Sequence, residues 1–212
     1  MVVAHPTGTP EITPHHLLQT EAEPATGVLA AAFADDPMFT WMCPELSVPE
    51  REQALVGFFA PFVDASRRRG HAYATDDRAS VALWSPPDVA LLDDGALEAL
   101  GQFFVEVIGE RAELVGTALQ EVEARHPTEP HFYLGAIGTR PELRGRGRGR
   151  VALGPVLERC DQTGVPAYLE SSSIRNVPFY ERLGFVVTDE VRLADGPVLR
   201  LMWREPRPPE QS

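Results

Sequence analysis

Cysteine is scarce in this sequence, and no stretch of it has the character of a membrane span or an export signal. The two cysteines among the 212 residues, Cys43 and Cys160, lie far apart and match no spacing typical of a metal site or a disulfide framework. We expect both to be buried, reduced thiols. No run of about 18 apolar residues occurs, and the N-terminus lacks the basic and apolar regions of a signal peptide. The sequence therefore predicts a cytoplasmic protein without a membrane partner.

An excess of positive charge is also missing. The chain has 31 Asp and Glu against 19 Lys and Arg, which gives a formal net charge of -12. This acidic balance argues against nucleic-acid binding by the whole surface, and it is compatible with a cationic substrate. The length fits one domain that is large enough to bury a sizeable core.

One short stretch departs from the acidic balance, and in it glycines alternate with arginines. Between residues 140 and 159 the chain carries six Arg and two Glu. Gly145, Gly147 and Gly149 allow backbone conformations closed to other residues and let several N–H groups point the same way. A strand-like run leads into the stretch and a helix-like run leaves it, so unpaired first-turn amides would add to an anion site. We interpret the stretch as a phosphate cradle for a polyanionic ligand.

The hydrophobic pattern predicts a single domain at 15–205, between a flexible arm at 1–14 and a disordered tail at 206–212. The arm ends at most in a poor first strand. The apolar segment 38–44 is predicted to be a loop, because Asp35-Asp36-Pro37 stops the preceding helix. Predicted helices cover 21–33, 49–69, 90–125 (divided at Gly109), the residues after the glycine stretch, and 175–183; predicted strands cover 71–75, 80–85, 132–138, 167–170, 185–191 and 197–203.

Two motifs within residues 131–186 resemble those of the GNAT superfamily of N-acetyltransferases. The first is Pro141 and Arg144 followed by Gly-x-Gly-x-Gly, and the second is formed by Asn176, Tyr180, Gly184 and Phe185. Four segments, at 29–37, 81–84, 164–170 and 175–185, look like the puromycin N-acetyltransferase branch. The resemblance implies an α+β GNAT fold, with a mixed central sheet of about six to seven strands flanked by helices and a helical insertion between the third and fourth strands.

The resemblance also implies acetyl-coenzyme A (acetyl-CoA) as the co-substrate. The backbone of Ile137, Gly138 and Thr139 is then expected to pair with the pantetheine arm as a strand would. The phosphates of the cofactor are expected to bind the glycine loop, which consists of Arg144, Gly145, Arg146, Gly147, Arg148, Gly149 and Arg150. We expect its backbone amides to contribute more than its exposed arginine side chains. Asn176 either orients the cofactor arm or caps a helix.

Acetyl transfer to an amine needs a proton for the departing thiolate and a group that receives the amine. Tyr180 is the candidate proton donor, since a phenol stays protonated at neutral pH; the alternative is that it only packs beneath its helix. Glu170 is the first choice for base or amine anchor, and Asp35 and Asp36 are the second; the alternative for these carboxylates is a solvated or helix-capping role. Three aromatic residues are expected either to line an apolar acceptor pocket or to pack in the core: Phe39, Trp41 and Trp84.

The predicted function is acetyl-CoA-dependent transfer to the primary amine of a small molecule, by direct attack on the thioester. An aminonucleoside-like antibiotic or another amine metabolite fits, and the protein is expected to act as a monomer or homodimer. The alternative is a non-catalytic protein that binds acyl-CoA or RNA. Arginine-glycine segments that bind RNA normally lack a flanking strand and helix, which are predicted here. A dinucleotide site is disfavoured because the glycines do not follow Gly-x-Gly-x-x-Gly.

Overall fold

The computed structural model describes residues 11–207, which form seven α-helices and seven strands joined by short 3-10 and π turns. The strands are β1 (Pro14–His16), β2 (Ala72–Thr75), β3 (Ser80–Ser85), β4 (Phe132–Thr139), β5 (Ala167–Ser171), β6 (Val186–Arg192) and β7 (Val198–Arg204). The helices are α1 (Ala22–Phe33), α2 (Pro37–Met42), α3 (Val48–Arg68), α4 (Asp94–Phe103), α5 (Ala112–Glu123), α6 (Arg148–Thr163) and α7 (Val177–Arg182).

All seven strands belong to one mixed sheet in the order β1-β2-β3-β4-β5-β7-β6. Neighbouring strands are antiparallel except β4 and β5, which run parallel. Helices α4 and α5 are inserted between the third and fourth strands, and Gly109 separates them with a positive φ of 55°. The predicted α+β architecture, strand number and helical insertion are confirmed.

The first strand lies at the very end of the segment predicted to be an arm. Pro14, His15 and His16 pair antiparallel with Thr75, Ala74 and Tyr73 of β2. The strand is hard to detect in the sequence because it has only three residues and begins with proline, which is tolerated on an edge strand. The rest of the predicted arm up to residue 10, and the predicted tail from residue 208, lie outside the described residues.

The prediction of a loop at 38–44 is wrong, because residues Pro37–Met42 form helix α2. Asp36 caps this helix: its carboxylate accepts a hydrogen bond of 2.8 Å from the backbone N–H of Met38. Pro37 occupies the first turn, where its fixed φ suits a helix and its missing N–H costs nothing. The Asp36-Pro37 pair therefore starts helix α2, in addition to lying just after the end of α1.

The sheet carries an apolar layer on each of its two faces. Along β3 the side chains alternate: Val81 and Leu83 pack with α1 and α3, whereas Ala82 and Trp84 pack with α6. The first layer also includes residues of α2 and α5, and the second includes residues of α7. Because both faces are covered, β3 is buried along its whole length.

Candidate active site

Strands β4 and β5 pair only at their first residues and then diverge. Phe132 pairs with Ala167 and Tyr133 with Tyr168, while β4 continues to Thr139. Over residues 134–139, the edge of β4 that faces β5 has no strand partner in the described structure. Such an edge offers backbone N–H and C=O groups to an extended ligand. Residues 137–139, which the resemblance assigns to the pantetheine arm, line the cleft at this point.

A β-bulge at Gly135 accompanies the divergence. Leu83 of β3 pairs with Ala136 and Trp84 pairs with Leu134, so Gly135 is the extra residue on β4. Bulges bend the strand that carries them, and they often occur beside active sites. A Cβ atom at position 135 would meet the end of the Leu91 side chain, which would have to shift to make room for it.

The glycine loop joins β4 to the N-terminus of α6. Gly145 and Gly147 have φ values of 74° and 80°, in the left-handed region that glycine adopts at little cost. Helix α6 begins at Arg148, and no side chain caps its N-terminus. Within residues 11–207, the backbone N–H groups of residues 145–150 donate no hydrogen bond to another group. These unpaired amides at a helix N-terminus lie where the sequence predicts an anion cradle, and they are the donors that such a site requires.

The cleft beside the loop has a volume of about 920 Å³, and its lining is strongly basic. Two arginines of the glycine loop are held by other parts of the protein. Arg144 Nη2 donates to the carbonyl of Ala32 at 2.7 Å, and Arg148 Nε lies 2.6 Å from the Asp77 carboxylate. These contacts tie the loop to α1 and to the β2–β3 turn. Six arginines line the cleft: Arg144, Arg148, Arg150, Arg175, Arg182 and Arg200.

Tyr180 and Asn176 lie in the same cleft, across from the loop. Tyr180 is 7% exposed, and burial, together with the nearby Asp36 carboxylate, raises the pKa of its phenol well above the ordinary value. It therefore keeps its proton at neutral pH and is able to donate it. Asn176 precedes α7, but its side chain makes no capping hydrogen bond. The helix-cap interpretation of Asn176 is therefore not supported.

A second cavity, of about 730 Å³, lies on the α1–α3 side of the sheet under the inserted helices. Its walls are largely apolar and rich in phenylalanine. It also contains five carboxylate residues, and neither arginine nor lysine is among the described residues that line it. The phenylalanines are Phe33, Phe39, Phe58, Phe59, Phe62 and Phe104, and the acidic residues are Asp36, Asp88, Glu123, Glu129 and Glu170.

The two cavities meet at Phe33, Asp36 and Ser172, which line both of them. Ser172 Oγ lies 2.8 and 2.7 Å from the two carboxylate oxygens of Asp36. Burial raises the pKa of Asp36, and the hydrogen bond from Ser172 opposes this shift. Phe33, Asp36 and Ser172 therefore form the boundary that the basic cleft and the acidic cavity share.

Glu170, on β5, lines only the second cavity, where it belongs to a cluster of polar side chains. Tyr133 donates its phenolic proton to Glu170 Oε2 at 2.6 Å, and His126 Nδ1 lies 3.4 Å from Glu170 Oε1. The neighbouring carboxylate raises the pKa of His126 above its ordinary value, since it stabilises the imidazolium. Burial lowers the pKa of His131, which lies next to His126.

Most of the predicted site residues come together around the two cavities, but two aromatic residues do not. Phe39 lines the second cavity, as proposed. Trp84 is 1% exposed in the core beneath α6, and Trp41 packs in the opposite core layer with the Arg111 guanidinium 5.6 Å from its ring. Neither tryptophan lines a cavity, so core packing, the alternative left open by the sequence, explains both. Among the loop residues, Arg146 is absent from the cleft lining.

The sequence analysis missed Ser172 and the polar cluster of the second cavity. Ser172 lies within a run of three serines, and nothing in its spacing pointed to Asp36, more than 130 residues away. His126 and His131 flank the turn before β4, a position that carries no recognisable motif. Phe58 and Phe62 lie on one side of α3, and the fold turns part of that side toward the cavity.

A sheet opened between two parallel strands, with unpaired amides at a helix N-terminus beside the opening, is the arrangement that the resemblance implies for a site that binds acetyl-CoA. The model of the acetyltransferase (GNAT) family matches residues 62–185, more than half of the chain. The chain therefore belongs to the GNAT family and is an N-acetyltransferase. This family uses acetyl-CoA, and the unpaired amides, the basic cleft and the open β4 edge fit its pyrophosphate and its pantetheine arm.

Known proteins of similar sequence or structure agree with this assignment. An uncharacterized N-acetyltransferase of Schizosaccharomyces pombe is 28% identical over 201 residues, which cover 86% of this chain and 78% of the relative. A solved structure from Corynebacterium glutamicum, described as histone acetyltransferase HPA2 and related acetyltransferase, superposes with a TM-score of 0.68. It is 26% identical, with 94% of this chain and 99% of the other covered. An agmatine N-acetyltransferase shares the fold, with a TM-score of 0.61, 18% identity, and 92% and 99% of the two chains covered.

None of the helices within residues 11–207 combines the length with the apolar character that crossing a membrane requires.

Proposed function

We propose that this enzyme transfers the acetyl group of acetyl-CoA to the primary amine of a small molecule that has an apolar, uncharged body. The observation that carries the proposal is the meeting of a basic cleft and an acidic, phenylalanine-rich cavity at Asp36. Opposite charges attract the polyanionic cofactor to one side and an ammonium group to the other. The contact point beside Asp36 is where the thioester and the amine would react.

The residues at this point supply the chemistry of a direct transfer. Acetyl-CoA, when bound, supplies an acetyl group on a thiolate leaving group. Tyr180 donates a proton to the departing sulfur, and Asp36 and Glu170 face the amine. Neither cysteine lines a cavity; burial raises the pKa of Cys160 to about 12 and also raises the pKa of Cys43. The chain thus presents no thiolate to carry the acetyl group, which supports attack by the amine itself.

The lining of the second cavity also favours one kind of amine over another. An acceptor that carries a carboxylate beside its amine would bring negative charge close to Asp36 or Glu170, and neither arginine nor lysine is among the described residues that line the cavity. Two like charges about 6 Å apart repel by roughly 3 kcal/mol at an effective dielectric constant of 20. A penalty of that size corresponds to about a hundredfold loss of affinity. Amines whose neighbouring carboxyl group is blocked as an amide should therefore be preferred over free amino acids.

Puromycin is one candidate acceptor of this kind, because its amine belongs to an aromatic aminoacyl amide. Its inclusion rests on the resemblance of four segments to the puromycin N-acetyltransferase branch and on the phenylalanine-rich cavity. The proposal includes a role in antibiotic resistance only if such an aminonucleoside is acetylated. The proposal also includes the expectations from the sequence that the protein is cytoplasmic, that it acts as a monomer or homodimer, and that it has no nucleic-acid partner.

The test is thiol release from acetyl-CoA with a panel of amines, followed by mass measurement of the products. The panel contains aminonucleosides, aminoglycosides, polyamines, peptide N-termini, and the matched pair phenylalanine and phenylalaninamide. The chain has no lysine, so acetylation of its own lysines cannot add to the signal. We expect acetylated phenylalaninamide to form with a kcat/KM at least about tenfold above that of phenylalanine, since even part of the repulsion exceeds 1.4 kcal/mol. Binding of acetyl-CoA without transfer to any amine would overturn the proposal and indicate a non-catalytic acyl-CoA-binding protein.

A further inference from the structure

The polar cluster in the second cavity forms a continuous chain of contacts. His131 Nδ1 lies 2.7 Å from the carbonyl oxygen of Glu129, and His131 Nε2 lies 3.1 Å from His126 Nε2. His126 Nδ1 faces Glu170 Oε1 at 3.4 Å, and the hydroxyl of Tyr133 holds Glu170 Oε2 at 2.6 Å. Each end of the chain is fixed: a backbone carbonyl accepts at one end, and a phenol donates at the other.

These contacts determine where the protons lie. A carbonyl oxygen only accepts, so His131 Nδ1 must carry a hydrogen, and neutral His131 then offers Nε2 as an acceptor. His126 Nε2 must therefore donate to it. If His126 is neutral, its Nδ1 presents a lone pair to the Glu170 carboxylate, which is repulsive. If His126 is an imidazolium, both of its nitrogens donate and every contact in the chain is satisfied.

The groups around His126 favour the same protonation state. Glu170 of β5 and Glu123 of α5 are the carboxylates that raise its pKa. His131 is the other base in contact with it, and burial keeps its pKa below the ordinary value. Tyr133 and Tyr168 face the ring of His126 with centroids 4.9 Å away, and the pKa values of both phenols are raised, so they stay neutral. The contacts and the raised pKa both favour His126 as the place where the cluster takes up an extra proton, and His126 becomes available as a base once it loses that proton.

We propose that His126 receives, through the Glu170 carboxylate, the proton that the acceptor ammonium must lose before it attacks the thioester. The inference rests on the proposed function and assigns the base that the sequence left open. Glu170 faces the acceptor, and Tyr133 fixes its carboxylate with Oε1 toward His126. His126 is a positioning and proton-holding residue, because it acts on the acceptor through Glu170.

The protons balance over the reaction. His126 first loses its proton to solvent, and the ammonium R–NH3⁺ then gives one proton to His126 through Glu170. The free amine forms the C–N bond as the C–S bond breaks. Tyr180 protonates the thiolate, and a second proton from the nitrogen restores Tyr180. One ammonium and one thioester thus yield one amide, one thiol and one proton, which His126 releases.

Asp36 is less suited to this role, although it lines the same cleft as Tyr180. Its carboxylate already accepts hydrogen bonds from Ser172 and from the backbone N–H of Met38, where it caps α2. No histidine among the described residues is bonded to it. Asp36 can orient the amine at the junction of the cavities, but it has no neighbouring base to take the proton onward.

The first experiment is an NMR titration of the histidine ring protons in the full-length protein, which does not depend on activity. In the wild type, one histidine should titrate above the ordinary value of about 6.5. Its curve should vanish in His126→Gln and move down toward about 6.5 in Glu170→Gln. His15→Gln is the matched control, because His15 Nε2 lies 2.8 Å from the Glu21 carboxylate, away from both cavities. A curve that stays unchanged in Glu170→Gln would overturn the proposal.

The second experiment measures kcat against pH between 6 and 9 with both substrates saturating. In the wild type kcat should rise through the pKa found for His126 by NMR. In His126→Gln this rise should disappear, and kcat at pH 8 should fall roughly a hundredfold, a typical contribution of general base catalysis. Added imidazole should restore part of the activity of His126→Ala, and His15→Gln should behave as wild type.

The outcomes separate the two proposals. If wild-type enzyme acetylates no amine, the proposed function fails, whatever His126 does. If the wild type acetylates amines and His126→Gln keeps the wild-type kcat and pH profile, the proton route through His126 is wrong while the function stands. If circular dichroism shows that the His126 variants are unfolded, the NMR titration of the folded Glu170→Gln protein decides whether the proton route is correct.

Discussion

Replacing Gly147 by valine should damage acetyl-CoA binding more than removing any single arginine of the loop. Gly147 is the last residue before α6 and has a φ of 80°. A Cβ added there would meet no atom within 4 Å, so steric overlap is not the cause of the expected loss. The cause is the backbone: a β-branched residue disfavours this conformation and would turn the loop amides away from the phosphates.

The magnitude follows from two contributions. A left-handed conformation costs an ordinary residue roughly 1–2 kcal/mol. Each charge-assisted hydrogen bond from a loop amide to a phosphate is worth about 1.5–3 kcal/mol. Loss of a single such bond therefore weakens binding by at least about tenfold. By contrast, Arg146→Ala removes an exposed charge worth about 0–1 kcal/mol, which is about fivefold at most.

Calorimetric titration with acetyl-CoA gives the dissociation constants directly. Gly70→Val is the matched control, because Gly70 also has a positive φ, of 71°, and an open Cβ position, but lies at the end of α3 and not in the cleft lining. It should lose similar stability without losing affinity. The reasoning would be refuted if Arg146→Ala bound more weakly than Gly147→Val, or if Gly70→Val lost as much affinity as Gly147→Val.

Three further predictions follow from the site and the core. Tyr180→Phe should lower kcat by roughly a hundredfold while the calorimetric Kd for acetyl-CoA is unchanged, because only the proton donor is lost; an unchanged kcat would remove Tyr180 from the mechanism. Trp84→Ala should lower the free energy of unfolding by about 3–5 kcal/mol in denaturant titrations, and it should leave the acceptor KM unchanged. Phe39→Leu should raise the acceptor KM. The reverse pattern would place Trp84 at the acceptor. Glu170 raises the pKa of His126, so the stability that it confers is fully present below about pH 6.5 and is lost as the pH rises through the raised pKa. The difference in Tm between wild type and Glu170→Gln should therefore shrink from pH 6 to pH 9. A difference that stays constant over this range would contradict the ion pair.

Much of the fold was predictable because its signals are local. The apolar run between the turn at 76–78 and Pro86-Pro87 predicts β3, and the positive-φ glycine at position 109 divides the inserted helices, as expected. Prediction failed where a group of residues is compatible with two different local structures. The sequence predicts that Asp36 and Pro37 end one helix, yet they also begin the next. Strand β1 is stabilised by pairing with β2 and not by its own sequence, so its three residues carry little signal.

The cofactor side of the site was predictable for the same reason, and the acceptor side was not. The glycine loop and the Tyr180 motif are contiguous patterns whose chemistry is visible in the sequence. The acceptor cavity is assembled from α1, α2, α3, the inserted helices, β4 and β5, so no spacing reveals it. Whether an aromatic residue lines this cavity or fills the core depends on which face of the sheet it meets, as the contrast between Phe39 and Trp84 shows.

The central claim is that the two cavities bring acetyl-CoA and the amine together at Asp36 for direct transfer. Initial rates measured while both substrates are varied test this claim most directly. Direct transfer requires both ligands to be bound at once, so we expect double-reciprocal lines that intersect, and no acetylated protein after incubation with acetyl-CoA alone. Parallel lines, together with an acetylated protein detected by intact mass, would contradict the claim, because they require an acetyl-enzyme formed before the amine binds.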